Sequence, residues 1–393
     1  MPWERSSRSS TASATAGSVK LGQPVPESNF ASELNSSAPQ AAHRNLPWSL
    51  VTAYSWLNGG SVPCSRSTRY CSGVSFRRHS SSGLATSRSI SSSIIVVVVT
   101  HRLLLDTSSL MYRAFFALPA TITDPRGKPV NALHGYLDMC ARLVRDRGPD
   151  EVVHCFDDDW RPAPRVASYD GYKATRAVDP EGLPEQFDVL LEILPPTGMT
   201  VASAPGWEAE DAIGTLCAGA GRRERIDIVT GDRDLIQCVR DPGVRVLFTK
   251  RGVSELEVLD EAGVEAKYGV PAGRYGDFAI LRGDPSDELP GVRGVGEKTA
   301  RALILTYPSL EAMEEDARAE RARTGPLRGS PALKARIREA ADYLEAMREV
   351  VPIREDLELE LERGEREDGR LDELAERWGL TGPVGRLRAA LEG

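Results

Sequence analysis

Three acidic side chains fall within four residues of the segment GWEAEDAIGTL, residues 206–216. They are Glu208, Glu210 and Asp211, and the apolar pattern that follows them predicts a helix. One or two acids at a helix start are ordinary, because each stabilises the helix dipole by about 0.3–1 kcal/mol. Glu208 and Asp211 lie three residues apart and share a helix face, whereas Glu210 is displaced around the helix. This spacing favours Glu208 and Asp211 over Glu210 as metal ligands.

Four further acids directly follow predicted strands. Asp106 follows LLL, Asp157 follows EVVHCF, and Asp232 and Asp234 follow RIDIVT in a GDRD turn. A single Asp after a strand is common turn chemistry, and each one alone favours that interpretation. The carboxyl ends of parallel strands meet at one edge of a sheet, however, and ligands bind there. The coincidence of three strand ends and one helix start therefore predicts a single acidic site.

So many carboxylates on one edge need compensating cations. Two of them about 6 Å apart repel by about 3 kcal/mol at an effective dielectric constant of about 20. Oxygen ligands without clustered His or Cys favour two Mg²⁺ or Mn²⁺ ions over zinc. The sequence offers no plausible Ser–His–Asp or Cys–His arrangement, and His154 is interpreted as a structural residue inside a strand. Two such ions need no protein nucleophile and are typical of phosphodiester hydrolysis.

The segment RPAPRVASYDGYKATR, residues 161–176, groups cations with tyrosines directly after Asp157. It contains Arg161, Arg165, Tyr169, Tyr172, Lys173 and Arg176. Cations placed over the acidic edge can hold phosphates, and tyrosines can stack on bases. The alternative interpretation is a mobile surface loop.

A second group lies in PGVRGVGEKTARALI, residues 290–304. Gly291, Gly294 and Gly296 precede a predicted helix, which is the pattern of a helix–hairpin–helix. Glycine backbone N–H groups and a helix N-terminus can hold a phosphate without reading sequence. Lys298 and Arg301 add positive charge. Because GVRGVG follows a helix and not a strand, a dinucleotide site is disfavoured.

The elements that must position these residues form an α/β pattern up to about residue 260. Strands are predicted at 94–105, 151–156, 200–202, 225–230 and 245–249, and helices at 108–118, 132–147, 187–194 and 207–218. Strands separated by helices indicate a mostly parallel sheet. Helices are then predicted at 271–282, 297–306, 331–349 and 370–391. We therefore expect an α/β domain over 94–260 and a helical subdomain over 261–393.

Residues 1–93 have a different composition. The first 100 residues contain 25 Ser, and the remaining 293 contain 8. The first 100 carry a net charge of +6; because the whole chain carries −8, the rest carries −14. Such a composition predicts disorder. It can mimic an organellar transit peptide; a non-functional extension, or a start codon assigned too far upstream, is the favoured interpretation.

The same composition limits compartment and partners. Six scattered cysteines without a CxxC pair indicate a reduced, cytoplasmic protein. The longest apolar run, 94–99, is too short to span a membrane. A charge of −14 argues against a general nucleic-acid binder, but the basic residues are grouped, so nucleic-acid contacts are expected from the two basic groups.

Taken together, these motifs resemble the 5′-nuclease superfamily, which includes the exonuclease domain of bacterial DNA polymerase I and the flap endonucleases. The resemblance runs from about 98 to 390 and rests on LLLDTSSLMYRAFFALP, FDDDWRPAPRVASYDGYKATR, GWEAEDAIGTL, TGDRDLIQCV and LRGDPSDELPGVRGVGEKTA. It implies a PIN-like α/β domain followed by a helical DNA-binding element. No polymerase-like segment follows in this sequence, so the chain resembles the stand-alone bacterial form.

The resemblance also implies roles for individual residues. One metal cluster would be Asp106, Asp157, Glu208, Glu210 and Asp211, and the other Asp232, Asp234, Asp284 and Asp287. Lys173 and Arg176, in an arch over about 160–185, would approach the scissile phosphate, with Tyr172 near the terminal bases. Arg113 and Arg165 would lie near the cleaved strand. The 283–301 segment would grip duplex DNA and can hold K⁺ through its carbonyls.

Two residues depart from the family pattern. Glu210 stands where Asp is usual, which moves the carboxylate outward by about a bond length. Glu288 stands where Asn usually follows Asp287, which removes a donor and adds charge beside the second metal cluster. We still expect a monomeric 5′–3′ exonuclease and 5′-flap endonuclease in DNA replication and repair, acting on 5′ ends, flaps and nicked duplexes. The sequence identifies no polymerase or ligase partner. The alternatives are a PIN-type RNase and a catalytically silent flap-binding protein.

Overall fold

The computed structural model describes residues 99–320 and 325–393. Their strands are β1 Thr100–Asp106, β2 Glu151–Cys155, β3 Thr200–Ser203, β4 Glu224–Thr230, β5 Val244–Thr249, β6 Leu256–Leu259 and β7 Glu360–Arg363. They form one sheet in the order β6-β5-β4-β1-β2-β3-β7. Strands β1 to β5 are parallel, as predicted, and β6 and β7 are antiparallel at the two edges. The predicted disorder over 1–93 and the predicted strand start at 94 lie outside the described residues.

Fourteen helices are present in the described residues. The first seven are α1 Thr107–Ala117, α2 Asn131–Arg147, α3 Ala163–Ser168, α4 Leu183–Ile193, α5 Ala209–Ala218, α6 Glu261–Tyr268 and α7 Tyr275–Arg282. The others are α8 Glu297–Thr306, α9 Leu310–Arg318, α10 Gly325–Gly329, α11 Pro331–Glu339, α12 Ala341–Val350, α13 Asp368–Arg377 and α14 Thr381–Glu392. Short 3-10 helices lie at Pro195–Thr197, Asp234–Cys238 and Ala272–Arg274.

The sheet separates two hydrophobic cores. Successive side chains of a strand point to opposite faces, and Leu103 and Leu105 of β1 enter one core while Leu104 enters the other. The first core contains buried residues of α1, α2, α4, α13 and α14, and the second contains those of α5 to α12. The near-continuous apolar strands follow from this burial on both faces.

The strand order creates a crevice at the carboxyl end of β1. The chain runs outward from β1 through β2 to β3, and then returns to place β4 on the other side of β1. Connections therefore leave β1 and β4 in opposite directions, which defines the topological switch point where ligands bind in such sheets. Asp106 ends β1 and Thr230 ends β4 at this point.

The last part of the chain departs from the predicted division at residue 260. Strand β7 pairs with β3, with Glu362 opposite Val201, and Leu374 and Leu387 are buried in the core that contains α2. Residues from 360 onward therefore pack with the sheet and not with a separate helical part. Strand β7 was not predicted because its sequence, ELER, lacks apolar alternation, and all four of its residues are exposed.

Two predicted long helices are each divided into two. The helix predicted at 331–349 is broken at Ala340, between α11 and α12. The one predicted at 370–391 is broken at Gly379, whose φ of 66° is left-handed and ends α13. Across the described ranges, no helix has both the length and the apolar character that a membrane span requires.

Candidate active site

A cleft of about 770 Å³ opens at the carboxyl edge of the parallel strands. Its walls include five of the predicted acids, Asp106, Asp157, Glu208, Glu210 and Asp232. Three predicted cations, Arg113, Lys173 and Arg176, line it as well. The prediction that residues distant in sequence converge on one edge of the sheet agrees with this geometry.

Asp106 is held rigidly at the switch point. Its carboxylate accepts hydrogen bonds from the Ser109 N–H at 3.2 Å, which caps α1, and from the Thr230 hydroxyl at 2.5 Å. The pKa of Asp106 is raised to about 7, chiefly by burial and also by the neighbouring Asp232 and Asp157, while the Thr230 hydrogen bond opposes the shift. Near neutral pH, a positive charge beside Asp106 would therefore stabilise its ionised form.

Asp157 joins the starts of two helices. It accepts a hydrogen bond from the Ser108 hydroxyl at 2.5 Å and another from the Ala209 N–H at 2.8 Å. Ser108 lies in the first turn of α1, and Ala209 is the first residue of α5. The carboxylate thus fixes the spacing of α1 and α5 while remaining exposed to the cleft.

Glu210 is the acid shared by two carboxylate groups. Ligand atoms of Glu208, Glu210 and Asp211 lie within 4.8 Å of one another. Ligand atoms of Glu210, Asp232 and Asp234 do so as well. Glu210, which its helix position placed below Glu208 and Asp211 as a ligand, is thus the residue common to both groups, and the ranking of the three as metal ligands stays a prediction.

Asp211 is the most enclosed of these acids. It is completely buried, and it accepts hydrogen bonds from Arg165 at 2.8 Å and from the Arg354 N–H at 2.9 Å. Burial raises the pKa of both Glu210 and Asp211, and Arg165 opposes both shifts. Asp211 thus uses hydrogen-bond acceptor positions of its carboxylate to join the start of α5 to the chain after α12.

The second predicted cluster lies beside the first. A small void is lined by Glu210, Asp234, Asp284 and Asp287, together with apolar residues. Asp284 is buried and is 3.3 Å from Arg282 and 3.7 Å from Arg233. Burial raises the pKa of Asp234 and Asp287, and Asp232 raises each of them further. These acids are close enough to repel one another strongly.

Arg165 and Tyr172 lie inside the acid cluster and not above it. Arg165 is buried and pairs with Glu208, with Glu210 at 3.0 Å and with Asp211 at 2.8 Å. Tyr172 is also buried and donates its hydroxyl to Glu208 at 2.6 Å. The expectation that both contact DNA thus conflicts with their positions, because neither side chain lines the cleft, whereas Lys173 does. Both side chains are buried because they pair with the carboxylates at the start of α5.

The other arch cations take different positions. Lys173 is buried and pairs with Glu208, and its ammonium lies 3.6 Å from Asp287. Burial disfavours its charge, but Glu208 and Asp287 nonetheless raise its pKa. Arg176 is exposed and its guanidinium lies 5.6 Å from the centre of the Trp160 ring. The arch therefore brings one buried and one exposed cation to the same cleft.

The glycine-rich hairpin has the backbone geometry that its sequence predicts. Gly291 and Gly294 adopt left-handed φ values of 70° and 71°, and Gly296 is the N-cap of α8. Lys298 is exposed in the first turn of this helix. Arg301 instead donates to the Tyr268 carbonyl and to Glu297, both at 2.7 Å. Arg301 thus joins α6 to α8, which reduces the charge it can offer to a phosphate.

Glu288 was predicted to add negative charge beside the second acid cluster, but its carboxylate has another partner. Its carboxylate turns to the arch and accepts hydrogen bonds from Thr175. The additional methylene relative to Asn gives the side chain the reach for this contact.

Three supporting residues were not predicted from the sequence. The hydroxyls of Ser108 and Thr230 orient Asp157 and Asp106, and the Arg354 backbone fixes Asp211. Ser108 and Thr230 flank strand-end acids, so a hydroxyl within two residues of such an acid was an available signal. Arg354 lies 143 residues from Asp211, and only the fold brings them together.

The donor set fits divalent cations. Eight carboxylates line the cleft and the adjoining void. Burial raises the pKa of Asp106, Glu210, Asp211, Asp234 and Asp287. A carboxylate with a raised pKa lacks sufficient positive compensation. Oxygen ligands of this kind suit Mg²⁺ or Mn²⁺.

The fold and the acid-lined cleft define an α/β enzyme of the nuclease class, and comparison with known proteins identifies the branch. Residues 101–269 match the 5′-3′ exonuclease N-terminal resolvase-like domain, and residues 270–372 match the 5′-3′ exonuclease C-terminal SAM fold. A 5′-3′ exonuclease of Streptomyces coelicolor is 42% identical over 306 residues, covering 74% of this chain and 99% of that protein. The chain belongs to the 5′-3′ exonuclease family and is a 5′–3′ exonuclease.

Other relatives agree with this assignment. A 5′-3′ exonuclease of Mycobacterium tuberculosis is 38% identical, covering 74% of this chain and 97% of that protein. DNA polymerase I of Mycobacterium bovis is 44% identical over 245 residues, which are 62% of this chain and 27% of that protein. The solved structure of the T5 D15 protein, co-crystallised with metal ions, has the same fold, with 14% identity and a TM-score of 0.52 over 74% of this chain and 98% of that one.

Proposed function

We propose that this exonuclease hydrolyses DNA phosphodiester bonds at 5′ ends, nicks and 5′ flaps with two divalent metal ions. The observation that carries the proposal is the position of Glu210, which belongs to both carboxylate groups at the switch point. A carboxylate common to both groups would contribute to two neighbouring ions, which in two-metal sites stabilise the attacking and leaving oxygens of a phosphodiester. The substrates and the cellular roles in replication and repair follow from the family relationship.

The acids divide between two sites. Asp106, Asp157, Glu208, Glu210 and Asp211 would hold one ion, and Asp232, Asp234, Asp284 and Asp287 would hold the other. When bound, Mg²⁺ or Mn²⁺ supplies an activated water and stabilises charge on the phosphate oxygens. Asp211 lines neither the cleft nor the void and accepts hydrogen bonds from Arg165 and the Arg354 N–H, so it would act mainly by orienting the neighbouring acids.

The cations of the cleft would bind the scissile phosphate. Lys173 lies between Glu208 and Asp287, where a phosphate bound beside both acid groups would meet it. Arg113 and Arg176 line the outer part of the same cleft and would hold neighbouring phosphates. Arg165 and Tyr172 would instead stabilise the charged acids from below.

The helical part would grip the duplex backbone. Gly291, Gly294 and Gly296 bring the chain to the N-terminus of α8, where free N–H groups and Lys298 suit a phosphate. The K⁺ predicted for this element, the monomeric state and the cytoplasmic location remain predictions.

The substrate class can be tested with 5′-labelled flap and nicked-duplex DNA in Mg²⁺ or Mn²⁺. A flap of the same sequence made of RNA is the comparison substrate. We expect short 5′ products from the DNA substrates and much slower cleavage of the RNA flap. Faster cleavage of RNA would favour the PIN-type RNase instead. Tight flap binding without metal-dependent product would favour a catalytically silent binding protein.

A further inference from the structure

A hydrogen-bonded clasp joins the arch to the loop between α7 and α8. The Glu288 carboxylate accepts hydrogen bonds from the Thr175 N–H, at 2.8 and 3.0 Å, and from the Thr175 hydroxyl at 2.5 Å. One step away, the Lys173 N–H donates to the Asp287 carbonyl at 3.2 Å. Two consecutive loop residues, Asp287 and Glu288, thus hold two arch residues, Lys173 and Thr175, by their main-chain N–H groups and by the Thr175 hydroxyl.

The backbone on both sides of the clasp is in an uncommon conformation. Lys173 and Glu288 have φ values of 48° and 60°, and they are the two non-glycine residues with positive φ in the described ranges. Side chains make this left-handed region unfavourable, so it persists where surrounding contacts hold it. The clasp supplies contacts of this kind to both residues at once.

The clasp also adjoins the contacts of the Lys173 ammonium. Asp287 receives the Lys173 backbone N–H through its carbonyl, and its carboxylate lies 3.6 Å from the ammonium of the same lysine. The other partner of that ammonium is Glu208. A change in the path of residues 173–175 would therefore move the cation relative to both acid groups.

We propose that Glu288 is a positioning residue that orders the arch and aims Lys173 at the cleft. This inference rests on the proposed role of Lys173 in binding the scissile phosphate. Glu288 acts through Thr175, since its carboxylate points to the arch and away from the acids that would hold metal. It couples the segment that carries the DNA-binding hairpin to the segment that carries the reactive cation.

The direct test compares hydrogen exchange and kinetics in Glu288→Ala and Glu288→Gln. Removal of the carboxylate should accelerate exchange of the Thr175 amide and lower kcat on a flap substrate, each by about tenfold, with a smaller change in KM. Glu288→Gln keeps an acceptor oxygen, so its Thr175 amide exchange and its kcat should both remain close to those of wild type. Thr175→Val keeps the main-chain bonds and should give an intermediate loss. Glu265→Ala, an exposed glutamate of α6, is the matched control and should match wild type.

The outcomes separate this inference from the proposed function. Wild-type cleavage together with unchanged exchange and kcat in Glu288→Ala would overturn the positioning role of Glu288. A wild-type enzyme that cleaves no DNA would overturn the proposed function and with it the aiming of Lys173. The exchange measurement would then still decide whether Glu288 orders the arch.

Discussion

At the residue scale, the carboxylate of Glu210 contacts one cation and also lies close to two acids of the second group. It pairs with Arg165 at 3.0 Å and also faces Asp232 and Asp234 across the cleft. The added methylene relative to Asp allows a side chain in the first turn of α5 to reach the carboxyl end of β4.

We expect Glu210→Gln to lower kcat by at least about 100-fold, because a metal ion contributes several kcal/mol to the transition state and each tenfold costs about 1.4 kcal/mol. Glu210→Asp should retain the charge and lose less. Metal titrations should show weaker binding at two sites in Glu210→Gln. Weakening at one site alone would contradict the shared role.

The raised pKa of Asp106 predicts an unusual pH dependence without metal. Between the ordinary value of 3.8 and about 7, the folded carboxyl keeps a proton that the unfolded chain has released. The folded state then binds more protons, so the stability contribution of this group falls as pH rises through that window. Denaturation in EDTA should show a stability gain of Asp106→Asn over wild type that grows from about pH 5 to about pH 7. A gain independent of pH would contradict this assignment.

Only those features of the site that depend on neighbouring residues in the chain could be predicted from the sequence. Acids after strands were visible because the strand pattern and the turn chemistry are local. The burial of Arg165 and Tyr172 was not visible, because it depends on Glu208 and Asp211 approaching from another element. The role of Glu288 was hidden for the same reason, since Thr175 lies 113 residues earlier.

At the element scale, the C-terminal helices stabilise the domain that carries the acids. Leu374 of α13 is completely buried in the core beneath the sheet, together with residues of α2 and α4. The parallel strands and their helices were predictable because both cores impose apolar periodicity on them. The edge strand β7 was not, because its pairing with β3 depends on main-chain groups and not on side-chain pattern.

We expect Leu374→Ala to lower the free energy of unfolding by about 2–5 kcal/mol, because it removes buried contacts and leaves a cavity. The same substitution at the exposed Leu361 of β7 is the matched control, and its effect should remain within about 0.5 kcal/mol. Chemical denaturation followed by circular dichroism measures both. Equal effects would contradict the return of residues after 360 to the sheet.

At the scale of the whole molecule, the chain divides by composition. The first 100 residues are Ser-rich and acid-poor, β1 begins at Thr100, and the described residues that line the cleft run from Asp106 to Ser286. The predicted disorder of residues 1–93 remains a prediction.

A chain that begins at residue 94 should therefore match the full chain in flap cleavage within about twofold, because no acid or cation of the site is removed. Parallel kinetic assays of the two proteins measure this. A large loss in the shorter chain would show that the first part contributes to substrate binding or folding.

We propose that divalent ions held by the acids of the switch point hydrolyse DNA. The most direct measurement is cleavage of a 5′-labelled DNA flap across a Mg²⁺ titration by wild type, Asp232→Ala and Asp188→Ala. Asp232 faces the cleft, whereas Asp188 is an exposed acid of α4 and serves as the control. We predict metal-dependent cleavage by wild type and Asp188→Ala, and a loss of at least about 100-fold in Asp232→Ala. Equal cleavage by Asp232→Ala, or cleavage that persists in EDTA, would contradict the account.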